Sequence, residues 1–394
     1  MRGRQPGRQR GRHVTGQTGP SGTSFDPLAG LRHPGEPEID VMLHGMVFLD
    51  IIFSGLNRIP EGGEEIWADG MGSCPGGSAN LAVASARLGL RTGLAAAFGD
   101  DAYGDFLWST LQDQEGVDLG CSRRFEHWHT PVTVSVSHAG DRRMITHGHD
   151  APMSANDLIG TPPRSRSVLF DLPPADAPDE LQWIDAAREQ GSLLFADVGF
   201  DGTGRWDQRV LEPLDRCHAF TPNAVEAMAY TRTDTAYDAL YALADRVPLA
   251  VVTNGAHGAL AIDGSTGEEA MVPALRVESI DPTGAGDVFC AALSLGTLAG
   301  WRLDDRLAFA ALCSALAVQQ FGGSLAAPGW GDIADWWHAQ RQSPSPTALH
   351  KAVLRRYSFL DDLVPDVPPS AVRRAAATIA RRSDATAALS KESA

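Results

Sequence analysis

Apolar positions along this chain fall into two kinds of pattern. Some are short continuous runs, and others recur every three or four residues. IDVMLHG (39–45) is a continuous run and predicts a buried strand ending at a glycine turn. PGGSANLAVASARLGL (75–90) predicts a glycine-rich turn opening a helix, with Leu81, Ala84 and Leu88 on one face and a stop at Gly89. TGLAAAFG (92–99) reads as the next strand, and DAYGDFLWSTLQDQEG (101–116) as the next helix. TPVTVSVSHAGDRRMITHG (130–148) differs, predicting two strands joined at HAGD as a hairpin.

The strand–helix rhythm then returns. SVLFDL (167–172), SLLFADVGF (192–200), CHAFTPN (217–223) and LAVVTNG (249–255) predict strands. Helices are expected over 177–190, near 205–214, over 223–246 in two pieces, and over 287–299 and 303–320. Continuous apolar strands alternating with helices imply an α/β fold: a doubly wound, mainly parallel sheet covered on both faces. There is no internal repeat.

The ends depart from this pattern. Residues 1–38 lack periodicity and read as a disordered Arg/Gly-rich tail. A Ser/Pro run begins at 343, with two short basic amphipathic helices expected after it. The folded domain is therefore expected over 39–337, with a partly helical extension over 338–394.

Charge sharpens the division. Residues 1–33 hold six arginines against one acid, Asp26, while the rest of the chain has 27 basic and 48 acidic residues. So acidic a body is a poor general binder of nucleic acid, although the Arg-rich head could touch RNA or an anionic surface. Only Lys351 and Lys391 are lysines, so phosphate chemistry in the body must proceed without that side chain. No run of 18 apolar residues exists, which predicts no membrane span, and the N-terminus has no secretory apolar segment. Five scattered cysteines without a C-x-x-C argue against a disulfide scaffold or structural zinc, and fit a reducing cytoplasm.

A doubly wound sheet binds ligands beyond the carboxyl ends of its strands. Glycine-rich turns lie there at Gly76–Gly77, TNGAHG (253–258) and TGAG (283–286). In DPTGAGDVF (281–289) two glycines precede a helix whose first turn carries Asp287. Bare N–H groups at such a helix start can hold an anion beside an acid acting as base, though the same residues also suit an ordinary helix start. Asn223 and Glu226, three apart at another helix start, fit a capping pair or a pair of polar ligands.

Four blocks together resemble the ribokinase-like (PfkB) family of sugar kinases over roughly residues 39–337: GMVFLD (45–50), GGSANLAVASARLG with the following FGDDAYG (98–104), TPNAVEA (221–227) and DPTGAGDVF. The resemblance implies ATP-dependent transfer of a γ-phosphoryl group to a hydroxyl of a small molecule, most often a sugar. It implies Asp287 as the base and the backbone of Gly284, Ala285, Gly286 and Asp287 as the anion hole. Asp50, Gly77 and Asn80 then bind substrate. Asn223 and Glu226 organise Mg²⁺ through water. Asn223, Thr253, Gly255 and Gly258 border the nucleotide, and Gly322 and Gly323 belong to a loop closing around adenine. Segments 51–73 and 130–148 resemble the family's small β-sheet lid, which also implies a homodimer contact. Asp281 resembles the acid of a monovalent-cation site, which implies K⁺.

This chain also departs from the pattern. GGSAN holds two residues between its glycine pair and the asparagine, where three are usual, and Ser78 stands near the place of a lysine often found in ribokinases. Phe48 stands where ribokinases carry a sugar-binding asparagine. Phe48 and Trp67 point to a sugar other than ribose, or a substrate with an apolar part. A nucleoside kinase of the same fold is the alternative. A non-catalytic sugar or nucleotide sensor, or an interaction protein, is the reading from another class.

Overall fold

The structure is a computed structural model that describes residues 25–138, 141–175, 181–199, 201–320, 322–343, 347–364 and 379–381. The Arg-rich head up to residue 24, the tip of the 130–148 hairpin and residues 177–180 of the expected helix over 177–190 lie outside the described residues.

The main sheet has eight strands. Their spatial order is β14 (Glu268–Val272), β13 (Ala259–Asp263), β12 (Leu249–Thr253), β11 (Ala219–Phe220), β10 (Leu193–Asp197), β9 (Ser165–Asp171), β1 (Ile39–His44) and β4 (Thr92–Ala95). The strands from β12 to β4 run parallel, and β13 and β14 form an antiparallel hairpin at one edge. Successive residues of the apolar runs face opposite sides. Val41, Leu43, Leu169 and Phe195 enter one core with α1 (Ser78–Arg87), α7 (Ala285–Leu298) and α8 (Leu303–Ala317). Met42, Val168, Phe170 and Leu194 enter the other with α3 (Ala155–Ile159), α4 (Gln182–Glu189), α5 (Ala224–Thr231) and α6 (Ala236–Ala244). Burial on both faces is why these strands read as unbroken apolar runs.

The lid is a second sheet of five strands, in the order β15 (Ile379–Arg381), β3 (Gly70–Gly77), β2 (Val47–Ser54), β7 (Val132–His138) and β8 (Asp141–His147). The 130–148 hairpin is present, and β7 runs parallel to β2.

Several expectations are corrected. TGLAAAFG is not one strand. β4 ends at Ala95, and β5 (Ala97–Gly99) pairs instead with β6 (Arg123–Phe125). The switch is fixed by Ser122, whose hydroxyl accepts the Ala96 N–H at 3.0 Å and donates to the Leu94 carbonyl at 2.7 Å. The helix over 101–116 is present as α2 (Ala102–Ser109), whose last turn widens over Thr110–Gln114. The element near 205–214 is a 3₁₀ segment, Gln208–Arg216, because Pro213 removes a helix donor.

Residues 25–38 are not a loose tail. Leu28 is buried in the main core, Phe25 packs edge-on to Trp330 at 4.7 Å, and Arg32 bridges Asp26 and Asp40. At the other end α9 (Trp330–Arg341) runs across the expected boundary at 337. The extension continues as α10 (Ala348–Arg356) and α11 (Leu360–Leu363), with Tyr357, Leu360 and Val364 buried in the same core. α10 is the first expected basic helix. α11 is the acidic LDDL, and the next basic stretch, where the second helix was expected, lies outside the described residues except for 379–381, which form a strand.

Candidate active site

The site forms where the carboxyl ends of the parallel strands meet the lid. Gly284 caps α7 at φ 75°, a left-handed conformation that glycine adopts without strain, and this aims the helix start at the cleft. The first N–H groups of a helix have no intrahelical partner and carry its positive dipole end. The Ala285 N–H turns back to the Pro282 carbonyl at 3.3 Å, so of the four expected anion-hole donors this one is already engaged.

Asp287 sits on the first turn of α7, and its carboxylate accepts a hydrogen bond from Asn80 Nδ2 at 3.1 Å. Its pKa is pushed up from 3.8 to about 7, chiefly by burial and then by the charge of Asp171, while the Asn80 bond pulls the other way. Asn80 Oδ1 is buried without a hydrogen-bond partner, so the same amide retains an acceptor for a ligand hydroxyl.

Asp50 is mid-strand in β2, opposite Cys74. A side chain at Gly76 would collide with its carboxylate, which explains the bare position there. At Gly77, with φ 62°, a Cβ would meet the Met46 carbonyl and come within 2.8 Å of the Phe48 ring. Phe48 and Asp50 lie two apart on β2 and so share one face.

Thr253, Gly255 and Gly258 line a mainly apolar cavity of about 350 Å³ together with Ala285, Gly286 and Phe289. Among the described residues none that lines it is charged. Asn223 and Glu226 form a reciprocal capping box, each side chain accepting the other's N–H at 3.0 Å. Burial raises the Glu226 pKa. Gly322 and Gly323 do not line this cavity, and a side chain at Gly323 would come within 2.9 Å of Cys74 Sγ, with Asn80 and Ile52 close by.

Asp281 accepts from the Thr283 N–H at 3.0 Å through Oδ1, while its Oδ2 is buried without a partner. Among the described residues no group of three or more His, Cys, Asp or Glu could hold a metal ion. Mg²⁺ retains most of its waters and needs few protein oxygens, so water-mediated holding at Asn223 and Glu226 fits the residues present.

Two acids were not anticipated. Asp171 and Asp197 pair across the ends of β9 and β10. Burial pushes both upward, and Asp197 is raised further by Asp171, with smaller contributions from Glu226 and Asp287. Each is a lone acid closing an apolar run, SVLFD and LLFAD.

The pfkB family carbohydrate kinase model matches residues 46–329. The ribokinase of Lactococcus lactis is 25% identical over 304 residues, which is 74% of this chain and 95% of that protein. The aminoimidazole riboside kinase of Salmonella typhimurium is 31% identical, over 65% of this chain and 85% of its own length. The structure of Arabidopsis thaliana ribokinase complexed with ribose and ATP superposes with a TM-score of 0.62 at 24% identity, covering 82% of this chain and 99% of that one. That likeness shows the fold. No helix among the described residues is long and apolar enough to cross a membrane.

Proposed function

The chain belongs to the pfkB family of carbohydrate kinases, which are ATP-dependent phosphotransferases, and from that premise we propose that it phosphorylates a hydroxyl of a sugar or ribosyl substrate held between Asp50 and Asn80. The observation that carries the reading is the Asn80–Asp287 hydrogen bond, which ties the acceptor pocket to the start of α7.

In this reading the acceptor hydroxyl lies against Asp287, whose ionised carboxylate takes its proton as the oxygen bonds to the γ-phosphorus and ADP leaves. Phosphoryl transfer passes through a loose transition state, so the base chiefly orients the oxygen. The N–H groups of Gly284, Gly286 and Asp287 stabilise charge on the transferring phosphoryl oxygens. Asn223 and Glu226 would hold Mg²⁺ through water, and the ion would supply charge neutralisation for the phosphates. The apolar cavity beside Thr253, Gly255 and Gly258 takes the adenine and ribose. The buried free oxygen of Asp281 suits a monovalent cation such as K⁺.

A second reading, a nucleoside acceptor, is favoured by one feature. Phe48 offers an aromatic face beside Asp50, which suits a planar group attached to a ribose. Met144 and Ile145, 59% and 77% exposed on β8, support a lid-mediated homodimer. Five cysteines without a disulfide support action in a reducing cytoplasm. A non-catalytic sensor has no need of a base and anion hole in register, so that reading is dropped.

The test is ADP release from Mg-ATP against sugars, sugar acids and nucleosides, for the native chain and Asp287→Asn. One strong acceptor whose turnover the variant abolishes supports the assignment. Turnover that persists in the variant rejects Asp287 as the base.

A further inference from the structure

The lid strand β3 has the sequence GMGSCPGG, with no charged residue. An uncharged, glycine-rich edge is the kind that pairs with any strand presented to it, and proteins blunt such edges with charge, proline or a cover. Here a cover is present. Residues 379–381 lie antiparallel along it, with Ile379 opposite Gly72, Ala380 opposite Met71 and Arg381 opposite Gly70. Two of the three partners are glycines, so that stretch of β3 has few side chains of its own to protect it.

The covering strand belongs to the part of the chain beyond residue 329, where the family match ends. That part is first anchored to the body. Trp330 donates to the Leu88 carbonyl at 2.8 Å, Trp337 donates to Asp361 at 3.0 Å, and Tyr357, Leu360 and Val364 are buried in the main core. The same covalent extension is thus fixed to the body by its helices and to the lid by β15. β3 is in turn the direct partner of β2, where Asp50 lies opposite Cys74.

We propose that the outer edge of β3 is a docking edge for an extended segment, and that its occupant is this chain's own residues 379–381, which act as a strap between body and lid. The strap orders β3 and through it the register that presents Asp50. It also denies the edge to a second copy of the chain. Three paired residues make a weak contact, since each backbone hydrogen bond contributes only modestly net of water. The strap therefore holds the lid without locking it.

The experiment compares amide hydrogen exchange over 70–77 in the full chain, a chain ending at residue 378, and Ala380→Pro, with Ala380→Val as the control that keeps strand backbone. Proline removes a backbone donor, so it breaks the pairing where the Ala380 N–H faces β3, and the shortened chain removes the strand whichever way that N–H points. The expected result is exchange over 70–72 faster by about tenfold in the shortened chain and the proline variant, and unchanged in the valine variant. The Michaelis constant for the acceptor should rise in the first two while that for ATP does not. Concentration-dependent self-association of the shortened chain, seen by light scattering, would further support an edge laid bare. Unchanged exchange over 70–72 in both the shortened chain and Ala380→Pro overturns the proposal.

Discussion

Asp287→Asn separates two consequences of burying one carboxylate. The shift from 3.8 to about 7 sets a ceiling of about 4 kcal/mol on the folding free energy lost by holding the ionised group in the cleft. Asp287 is partly exposed, and water reaching its carboxylate reduces that ceiling, so a gain of about 1–3 kcal/mol is expected at pH 8 when the charge is removed. The sign follows from proton binding. Between pH 3.8 and about 7 the folded state holds the Asp287 proton more tightly than the unfolded chain does. This group's contribution is therefore full below the unfolded pKa and is lost as pH rises through about 7. Asparagine has no such dependence. Urea unfolding of both proteins from pH 4 to pH 8, without nucleotide, should show the variant more stable at pH 8 and the two converging toward pH 4. Turnover should fall by about 10²- to 10⁴-fold, the range of a positioned general base. A variant less stable than wild type at pH 8, or a gap that does not vary with pH, would refute the argument that burial raises this carboxylate.

Asn80→Ala removes the hydrogen bond that favours ionised Asp287, so the acidic limb of the pH profile of kcat/KM should move to higher pH; a limb moving lower would contradict the geometry. Gly286→Val meets nothing within 4 Å of the new Cβ, so the melting temperature should hold while kcat/KM for ATP falls by about 10²-fold, the scale of a lost anion-hole donor. Arg87→Ala strands Glu115 in the interior and frees the carbonyls of Leu325 and Ala327, and chemical unfolding should register a loss of about 3–5 kcal/mol.

Much of the fold was legible because burial on both faces leaves an unmistakable trace, and IDVMLH, SVLFDL and LLFAD each became a central parallel strand. The glycine turn opening α7 was legible because a left-handed cap, here Gly284 at φ 75°, admits glycine without strain. The split at Ala96 was not, since nothing in an alanine run says that the Ser122 hydroxyl will divert the chain. The hairpin of β13 and β14 escaped for a similar reason. Its outer strand alternates only weakly, with Glu268 and Glu269 at the edge. Asp171 and Asp197 were visible singly as strand-ending acids, but their meeting depends on strand order, which no local pattern encodes. The glycine pair Gly322–Gly323 signalled close packing without naming the neighbour, which at Gly323 is Cys74.

The packing of residues 25–38 separates the unit that relatives share from the unit that folds. The family match begins at residue 46, yet Asp40 is fully buried and depends on Arg32, which bonds it at 2.8 Å, and on Arg166 at 3.2 Å. A chain trimmed to the shared segment would lose Leu28 and Trp330 from the core and cut away β1 with its two neighbouring pairings. A protease challenging the native protein should accordingly stop short of Phe25, leaving a resistant fragment longer at its start than any outline drawn from kinship alone.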